Sequence, residues 1–136
     1  MHLKSRNKNF MWESISFEEL KELISEGEAA LESGNYEKEV LVFWKHIKIN
    51  PEKWKDENGY AKERDGFFVV AILGKRVIWY NDIEEGFNLS FYDEYGIIRD
   101  YWCDQYELNQ AVYQFYHSIN NDFLSRSGPP EPLSAE

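Results

Sequence analysis

Acidic residues are concentrated in one short part of this sequence, between positions 82 and 107. The segment contains eight carboxylates and a single basic residue, Arg99. The carboxylates belong to Asp82, Glu84, Glu85, Asp93, Glu94, Asp100, Asp104 and Glu107. Such a group can hold a metal ion, supply the acid and base of a hydrolase, or attract a basic protein. Because turns and helix N-termini favour acidic residues on their own account, a solvated surface without a ligand is the alternative interpretation.

The spacing of these carboxylates matches no metal-binding motif. Asp82, Glu84 and Glu85 depart from the calcium-loop pattern D-x-[DN]-x-[DN]-G, and no Cys or His pair has zinc-site spacing. Two carboxylates of the 82–85 turn could serve a hydrolase only if they converged in a cleft, roughly 5 to 9.5 Å apart, which spacing along the chain does not reveal. The sequence therefore predicts no metal site and leaves a hydrolase as a third hypothesis.

Cys103 is the single cysteine and therefore the one candidate thiol nucleophile. His46 or His117 could act as its base, but the acidic neighbours of Cys103 are expected to raise the thiol pKa and suppress the reactive thiolate. A structural cysteine is the preferred interpretation. The sequence also lacks a glycine-rich phosphate loop, a G-x-S-x-G elbow and an H-E-x-x-H motif, so we expect no enzyme activity and no cofactor.

A second candidate surface is the segment Leu108 to Asn121, which contains no charged residue although 29% of the chain is charged. At about 100° per residue, its apolar residues form one helical stripe and polar residues form the opposite one. The polar stripe consists of Tyr106, Gln110, Tyr113 and His117. Charge depletion combined with tyrosine is typical of protein interfaces, so we expect a partner protein or a second copy of the chain to cover this face. An uncharged but solvated face is the alternative.

The net charge of the chain limits the class of partner. With a formal net charge of −10 and a pI near 4.8, nucleic acids and anionic membranes are poor partners and a basic protein is a suitable one. No apolar run approaches the length of a membrane span, the N-terminus lacks the apolar core of a secretory signal, and the single cysteine fits a reducing cytoplasm. Aromatic residues make up 17% of the chain, which fits either an aromatic core or a stacking surface for a ligand.

The elements that position these residues are organised around a predicted β-hairpin over 67–80. Two apolar runs flank Gly74-Lys75, the pattern of a type II′ turn, and pairing outward from this turn sets Val70 opposite Trp79. Both faces of the hairpin are apolar, whereas a sheet with one solvated face alternates apolar and polar residues. We therefore expect either that the hairpin is central and covered on both sides or that another chain closes one of its faces.

Helices are predicted near both ends of the folded part. Ser16 and Glu19 form a capping box that opens a helix over 16–33, and the apolar positions that follow lie on one helical face. Asp104 and Glu107 form a second capping box, which is expected to open the uncharged helix.

The remaining segments are predicted as strands and loops from their composition. Alternating apolar residues favour a strand over 40–49, and Asn50-Pro51 predicts a single helical turn after it. The polar segment 55–65 is expected to be a surface loop. Two shorter strands, over 87–92 and 95–102, are expected to complete an antiparallel meander.

These elements define an α+β fold. It consists of an antiparallel sheet of about five strands, a meander around the central hairpin 67–80, with an N-terminal and a C-terminal helix packed on it. At 136 residues the chain is long enough to form a hydrophobic core without disulfides. We expect a single domain over 13–126, a basic and loosely ordered arm over 1–12, and a disordered tail over 127–136.

Two stretches, VIWYNDIEEGFN (Val77 to Asn88) and YWCDQYEL (Tyr101 to Leu108), resemble a set of small uncharacterised bacterial proteins. The resemblance covers the chain from Phe67 to the end of the second helix, and it implies a compact bacterial protein but no particular activity. In its acidity and aromatic content the chain is also similar in type to toxin-neutralising immunity proteins, an analogy without a shared motif.

The sequence therefore predicts a cytoplasmic, non-enzymatic protein-binding domain that inhibits or neutralises a basic partner. Its expected contact residues are Asp82, Glu84, Glu85, Asp93, Glu94, Tyr106, Gln110, Tyr113 and His117. A binder of small molecules or carbohydrates that uses exposed aromatic side chains is the second hypothesis, and a hydrolase that uses the 82–85 carboxylates is the third. A homodimer is the simplest assembly that would cover the uncharged helix.

Overall fold

Three helices pack against a curled five-stranded sheet, which makes this an α+β protein as predicted. The computed structural model describes residues 13–61 and 65–121. The elements are α1 (Phe17–Glu32), α2 (Lys38–Ile47), β1 (Lys48–Asp56), β2 (Phe67–Leu73), β3 (Arg76–Asn81), β4 (Gly86–Phe91), β5 (Ile97–Ile98) and α3 (Leu108–Asn121). The predicted arm over 1–12 and tail over 127–136 lie outside the described residues. Within 13–61 and 65–121, every helix is too short or too polar to cross a lipid bilayer.

The strand order is β4-β3-β2-β1-β5, so the predicted hairpin, β2 and β3, lies in the middle of the sheet. The pairs β1–β2, β2–β3 and β3–β4 are antiparallel, but β5 runs parallel to β1. The prediction of a meander strand over 95–102 is therefore wrong. Only Ile97–Ile98 form a strand, and they pair with Lys55 and Asp56 at the far edge of the sheet.

The curl of the sheet brings its two edges together. Arg99 follows β5 directly, yet its backbone N–H donates a hydrogen bond to the carbonyl of Phe91 at the end of β4 (3.0 Å). The chain then runs back along the outer edge of β4, where Phe87 and Tyr106 form a further antiparallel bridge. The sheet consequently encloses a core on its inner side.

The turn of the central hairpin agrees with the prediction. Gly74 has a φ of 61°, and Lys75 does not have a positive φ, which is the type II′ combination. Leu73 pairs with Arg76 across this turn. The two-residue loop with glycine in its first position therefore identified both the turn type and the start of the register.

Farther from the turn, a β-bulge at Val70 changes the register of the hairpin. Trp79 pairs with Val69, and the predicted pairing with Val70 is wrong because the bulge adds one residue to β2. Since successive side chains of a strand point to opposite faces, this shift places Phe67 and Val69 on the same face as Trp79. Val70 and Ala71 both pack on the side of the helices.

The sheet has a core on each face, and this chain builds both. The helix-side core includes Leu20, Val40, Trp44, Ile78, Leu89 and Phe115. The core inside the curl consists of Trp54, Ala61, Phe67, Val69, Val77, Trp79, Ile98 and Tyr101. The hairpin is therefore central and covered on both sides by its own chain, which decides between the two arrangements that the sequence left open.

The segment predicted as a strand over 40–49 is mostly helix α2, which leads directly into β1. The buried residues Val40, Trp44 and Ile47 follow the helical spacing i, i+4, i+7. Leu41 and Phe43, two of the alternating apolar residues of this segment, are only partly buried against the same core. A short apolar run satisfies both periodicities, so packing against α1 and α3 decides between them.

The helical turn predicted at Asn50-Pro51 is also wrong, because both residues belong to β1. Pro51 has no backbone N–H to donate, and the pairing of β1 with β2 is irregular between Lys48 and Glu52. The strand then continues to Asp56, so the predicted surface loop over 55–65 begins after this residue.

Helix α1 begins as predicted. The Ser16 hydroxyl oxygen accepts a hydrogen bond from the Glu19 N–H (3.0 Å), and Glu19 Oε1 accepts one from the Ser16 N–H (3.1 Å), which completes the capping box. Gly27 does not interrupt the helix. It lies where α1 meets α3, so close that a Cβ on Gly27 would stand 2.6 Å from the Cβ of Leu108.

Helix α3 begins at Leu108, but the predicted capping box of Asp104 and Glu107 is wrong. Asp104 is buried, and its backbone pairs with the Asn88 side chain: the Asp104 N–H donates to Asn88 Oδ1 (2.8 Å), and Asn88 Nδ2 donates to the Asp104 carbonyl (2.9 Å). At the helix start, Gln110 Oε1 accepts the Glu107 N–H instead (2.8 Å). Asp104 is therefore held at the sheet edge and is not available to cap the helix.

Glu28 links α1 to the junction of α2 and β1. Its Oε2 accepts hydrogen bonds from Trp44 Nε1 (2.8 Å) and from Lys48 Nζ (3.1 Å). Partial burial on its own would raise the pKa of the Glu28 carboxyl. The two hydrogen bonds and the positive charge of Lys48 together outweigh burial, so the pKa lies below the ordinary value of 4.5.

Replacing Trp79 by alanine should lower the free energy of unfolding by about 3–5 kcal/mol. The side chain is fully buried, packs on Phe67 with 4.8 Å between ring centroids, and donates from Nε1 to Ser90 Oγ (2.9 Å). Chemical denaturation followed by circular dichroism measures the loss. Trp79→Phe retains an aromatic ring and should cost clearly less, and a loss below about 1 kcal/mol for Trp79→Ala would contradict this burial.

Replacing Glu28 by glutamine should cost about 1 kcal/mol near neutral pH. Because the folded-state pKa is lowered, the carboxylate contributes stability above pH 4.5 and loses it as the pH falls through the folded-state value. Denaturation of both proteins from about pH 7 to about pH 3 should show the difference shrinking toward zero at the acidic end. A difference that stays constant across the series would mean that the charge of Glu28 does not stabilise the fold.

Candidate functional site

A cavity of about 290 Å³ opens where α1, the turn between β3 and β4, and the start of α3 meet. Its apolar lining comprises Leu23, Ala30, Tyr80, Phe87, Tyr106 and Leu108. Its polar lining includes three carboxylates, those of Glu26, Glu85 and Glu107. Phe87 and Leu108 are buried, whereas the three glutamates are exposed, so apolar side chains form the floor and carboxylates form the rim. We call this the acid-rimmed cavity.

Each rim carboxylate comes from a different element of the fold. Glu26 lies on the exposed side of α1, one residue before the helix contact at Gly27. Glu85 ends the β3–β4 turn with a φ of 65°, a left-handed conformation that is uncommon for a residue with a side chain. Glu107 directly precedes α3. Residues separated by 81 positions in the sequence are therefore brought to one opening by the packing of the helices on the sheet.

The electrostatics of the cavity favour a cation. Among the described lining residues there are three carboxylates and no lysine, arginine or histidine. The N-terminal end of α3 favours the charge of Glu107, because the free N–H groups of a helix start carry a partial positive charge. The carboxylates of Glu26 and Glu107 beside an apolar floor favour a positively charged surface over an anionic one.

The wall formed by β4 and the segment before α3 depends on a glycine. A Cβ on Gly86 would overlap the backbone of Asp104 and Gln105, so the two chain segments can approach this closely only at glycine. The hydrogen bonds between the Asn88 side chain and the Asp104 backbone fix the same contact two residues along β4. The opposite wall, between α1 and α3, depends on Gly27 in the same way.

Asp82, which the sequence placed among the contact residues, is a structural group. It is 3% exposed and accepts a hydrogen bond from the backbone N–H of Ile15 (2.7 Å), which joins the segment before α1 to the β3–β4 turn. Asn81 shapes the same turn, because its Oδ1 accepts from the N–H groups of Ile83 and Glu84. Asp82 therefore does not belong to an exposed contact surface.

Glu84 and Glu85 lie in this turn but face different surroundings. Glu84 is half-buried near Cys103, while Glu85 lines the acid-rimmed cavity. Burial, followed by the charges of Glu84 and Asp104, raises the pKa of the Cys103 thiol, in the direction that the sequence predicted. Cys103 packs against the core inside the curl. The raised pKa disfavours the reactive thiolate.

Asp93 and Glu94 lie at the opposite end of the sheet from the cavity. The Asp93 carboxylate stands 3.3 Å from Arg99 Nη1, and its backbone carbonyl accepts from Lys75 Nζ (3.1 Å), beside the β2–β3 turn. The β3–β4 turn is one strand length away, and the six residues of β3 span about 20 Å. The acidic segment of the sequence is thus divided between two ends of the sheet and does not form one continuous surface.

The predicted polar stripe of α3 is divided as well. Tyr106 lines the acid-rimmed cavity, and Gln110 is exposed one turn farther on. Tyr113 packs against Tyr36 (5.5 Å between ring centroids), which belongs to the connection between α1 and α2.

His117 lies farther along the same stripe, and its Nε2 is 3.5 Å from the Glu37 carboxylate. The connection between α1 and α2 therefore covers part of the uncharged face from within the chain. Two features suggested a homodimer, the apolar faces of the hairpin and the uncharged stripe of α3. The same chain covers both hairpin faces and part of the stripe. The homodimer itself stays a prediction.

Two of the chemistries considered from the sequence, a metal site and a cysteine–histidine pair, have no matching arrangement among the described residues. Across 13–61 and 65–121, no three His, Cys, Asp or Glu side chains are arranged to hold a metal ion. Cys103 belongs to the core inside the curl, whereas His46 and His117 belong to α2 and α3, which pack on the other side of the sheet. The exposed tyrosines Tyr60 and Tyr95 contact their own chain, Tyr60 by stacking on Tyr101 and Tyr95 by donating to Glu52 (2.8 Å).

Sequence reasoning missed Glu26 as a site residue. Glu26 is an exposed residue of α1, and its position in the helix does not reveal which residues stand opposite it. The sequence assigns Glu107 to a capping box. Whether Glu107 lines a cavity depends on the position of the first residue of α3 relative to β4. Gly27, in the middle of a helix, was the available signal, because a glycine there often marks the close approach of another element.

Comparison with protein-family models, with curated proteins and with solved structures finds no match to this chain. The resemblance to small bacterial proteins stays a prediction. The functional assignment therefore rests on the geometry and chemistry of the acid-rimmed cavity itself.

Replacing Gly86 by alanine should destabilise the protein by about 3 kcal/mol or more, because a Cβ there would overlap backbone atoms that cannot rotate away. The matched control is Gly34→Ala, where φ is 102° but nothing lies within 4 Å of the new Cβ. This control should show only backbone strain, about 1 kcal/mol. Thermal or chemical denaturation measures both changes, and equal losses would contradict the close approach of β4 to residues 104–105.

Proposed function

We propose that this protein binds a basic protein partner and that the acid-rimmed cavity lies at the centre of the contact surface. The observation that carries the proposal is the convergence of three carboxylates, from three separate elements, around one apolar cavity. Protein interfaces combine an apolar centre, where most of the binding energy arises, with a polar rim that remains partly solvated. The cavity has this arrangement.

The charge of the surrounding surface supports a basic partner. Helix α1, which forms one wall of the cavity, has further exposed glutamates at Glu18, Glu19, Glu22 and Glu32. The chain as a whole has a formal net charge of −10. An electrostatic potential of one sign around a docking site accelerates the encounter with an oppositely charged protein and disfavours partners of the same charge.

Binding itself is the proposed activity: the protein occupies a basic surface of its partner in the cytoplasm and thereby inhibits or neutralises it. Two groups that could have carried a reaction have structural roles, since Asp82 anchors the Ile15 backbone and Cys103 packs in a core. The similarity in type to toxin-neutralising immunity proteins supports this proposal as an analogy. A bacterial source would be consistent with it.

A binder of a small organic cation is the second candidate function. Tyr80, Phe87 and Tyr106 all line the cavity, and aromatic rings bind quaternary ammonium groups through cation–π contacts. Titration with choline and with spermidine, followed by NMR, would support this candidate if saturable shifts were centred on these three residues.

The rim should control the recognition of basic peptides. Selection of a phage-displayed random-peptide library on the immobilised protein should enrich lysine- and arginine-rich sequences. The variant Glu26→Gln/Glu107→Gln should bind the selected peptides roughly tenfold more weakly, and the difference should shrink at high salt.

The matched control, Glu22→Gln/Glu32→Gln, removes the same charge from exposed α1 positions outside the cavity lining. It should retain most of the affinity for the selected peptides. Enrichment of neutral or acidic peptides, or equal losses for both variants, would contradict the proposed function.

A further inference from the structure

We infer that the acid-rimmed cavity receives one apolar side chain of the partner and that lysine or arginine residues flank this side chain in the partner's sequence. The inference rests on the proposed function and names the motif that would satisfy it, a basic–apolar–basic segment. Three features of the cavity support this inference: its volume, the positions of its apolar groups on the floor and its acidic groups at the rim, and the close packing of its walls.

The volume of the cavity is sufficient to admit one side chain of the partner. At about 290 Å³ it lies just below the range of roughly 300–1,000 Å³ that is typical of pockets for drug-sized ligands. A leucine, methionine or phenylalanine side chain fits within this volume, and a few residues buried in desolvated pockets supply most of the binding energy of a protein interface.

The positions of the apolar and acidic groups determine which side chains of the partner enter the cavity. The floor contains Phe87 and Leu108, which are buried and apolar, so a cationic head group placed there would lose its water without gaining a charged partner. The carboxylates of Glu26 and Glu107 stand at the exposed rim, where cations can pair while they remain partly hydrated. The apolar side chain therefore enters the cavity, and the basic side chains remain at its rim.

The walls of the cavity are preformed. Gly27 allows α1 to contact Leu108 of α3, and Gly86 allows β4 to contact the backbone before α3, so both walls are closely packed. The rings of Tyr80 and Phe87 pack against each other at 4.9 Å between centroids. A cavity that needs little ordering when a ligand enters loses less of the interaction energy to conformational entropy.

Ala30 offers a direct way to fill the cavity. It is half-buried in α1, lines the cavity one helical turn after Glu26, and has a small side chain. Ala30→Leu should occupy the space meant for the partner's apolar residue without changing the charge of the rim, and leucine favours a helix nearly as well as alanine. Ala29 is the matched control position, because it is adjacent in α1, exposed, and outside the lining.

The test uses the full chain and a pool of peptides with acetylated N-termini. Each peptide carries leucine between two pairs of lysine residues, and the positions outside these pairs are randomised. A second pool has asparagine in place of leucine, and a third has acetyl-lysine in place of lysine. NMR titration should show that the asparagine and acetyl-lysine pools bind roughly tenfold to thirtyfold more weakly than the leucine pool. Ala30→Leu should weaken binding of the leucine pool to a similar degree, and Ala29→Leu should leave it unchanged.

The outcomes separate the inference from the proposed function. Equal affinities for the leucine and asparagine pools, with Ala30→Leu binding like the unmodified protein, would overturn the inference. The proposed function would survive that result if Glu26→Gln/Glu107→Gln still weakened binding. An acetyl-lysine pool that binds as tightly as the lysine pool would overturn the basic part of the motif. Failure of every lysine-containing pool to bind would overturn the inference together with the proposed function.

Discussion

Two hydrogen bonds between the Asn88 side chain and the Asp104 backbone hold the return segment of the chain against the edge of the sheet. Asn88 is fully buried, so an amide without partners at this position would be costly, and shifting the segment by one residue would break both bonds. The bridge between Phe87 and Tyr106 extends the same contact. The position of residues 99–106 along β4 is therefore determined by a buried polar group.

This contact also determines where α3 starts. The helix begins four residues after Asp104, so the pairing at Asn88 places Leu108 opposite Gly27 of α1. Glu107 then stands beside the cavity, together with Glu26 and Glu85. The cavity consequently depends on the same tertiary contact that closes the sheet edge, and it would not survive if that edge opened.

The parts of the fold that the sequence predicted are those set by neighbouring residues. The capping box of Ser16 and Glu19 and the turn at Gly74 each depend on a few adjacent positions, and both are confirmed. Helix α2 was mistaken for a strand because its ten residues are too few to separate the two periodicities. The bulge at Val70 could not be predicted, because every residue from Phe67 to Leu73 is apolar and none of them indicates an irregular position.

The candidate site could be predicted only in part, because it is assembled from distant positions. The high density of acidic residues after position 82 was visible, and Glu85 and Glu107 do line the cavity. Their separation from Asp93 and Glu94 follows from the length and direction of β3, and the contribution of Glu26 follows from helix packing. Neither can be inferred from charge patterning alone.

The central position of β2 also bears on how the protein resists aggregation. The segment Phe67–Leu73 is a seven-residue run without charge, proline or glycine, which is the type of sequence that stacks into cross-β fibrils when it is exposed. In the folded protein β2 is paired on both sides, and the return segment covers part of the β4 edge. The edge of β1 that β5 leaves uncovered carries Pro51, and β1 is irregularly paired with β2 at the same level; both features discourage the addition of a foreign strand. A variant that unfolds locally around β1 would therefore be expected to polymerise before it unfolds completely.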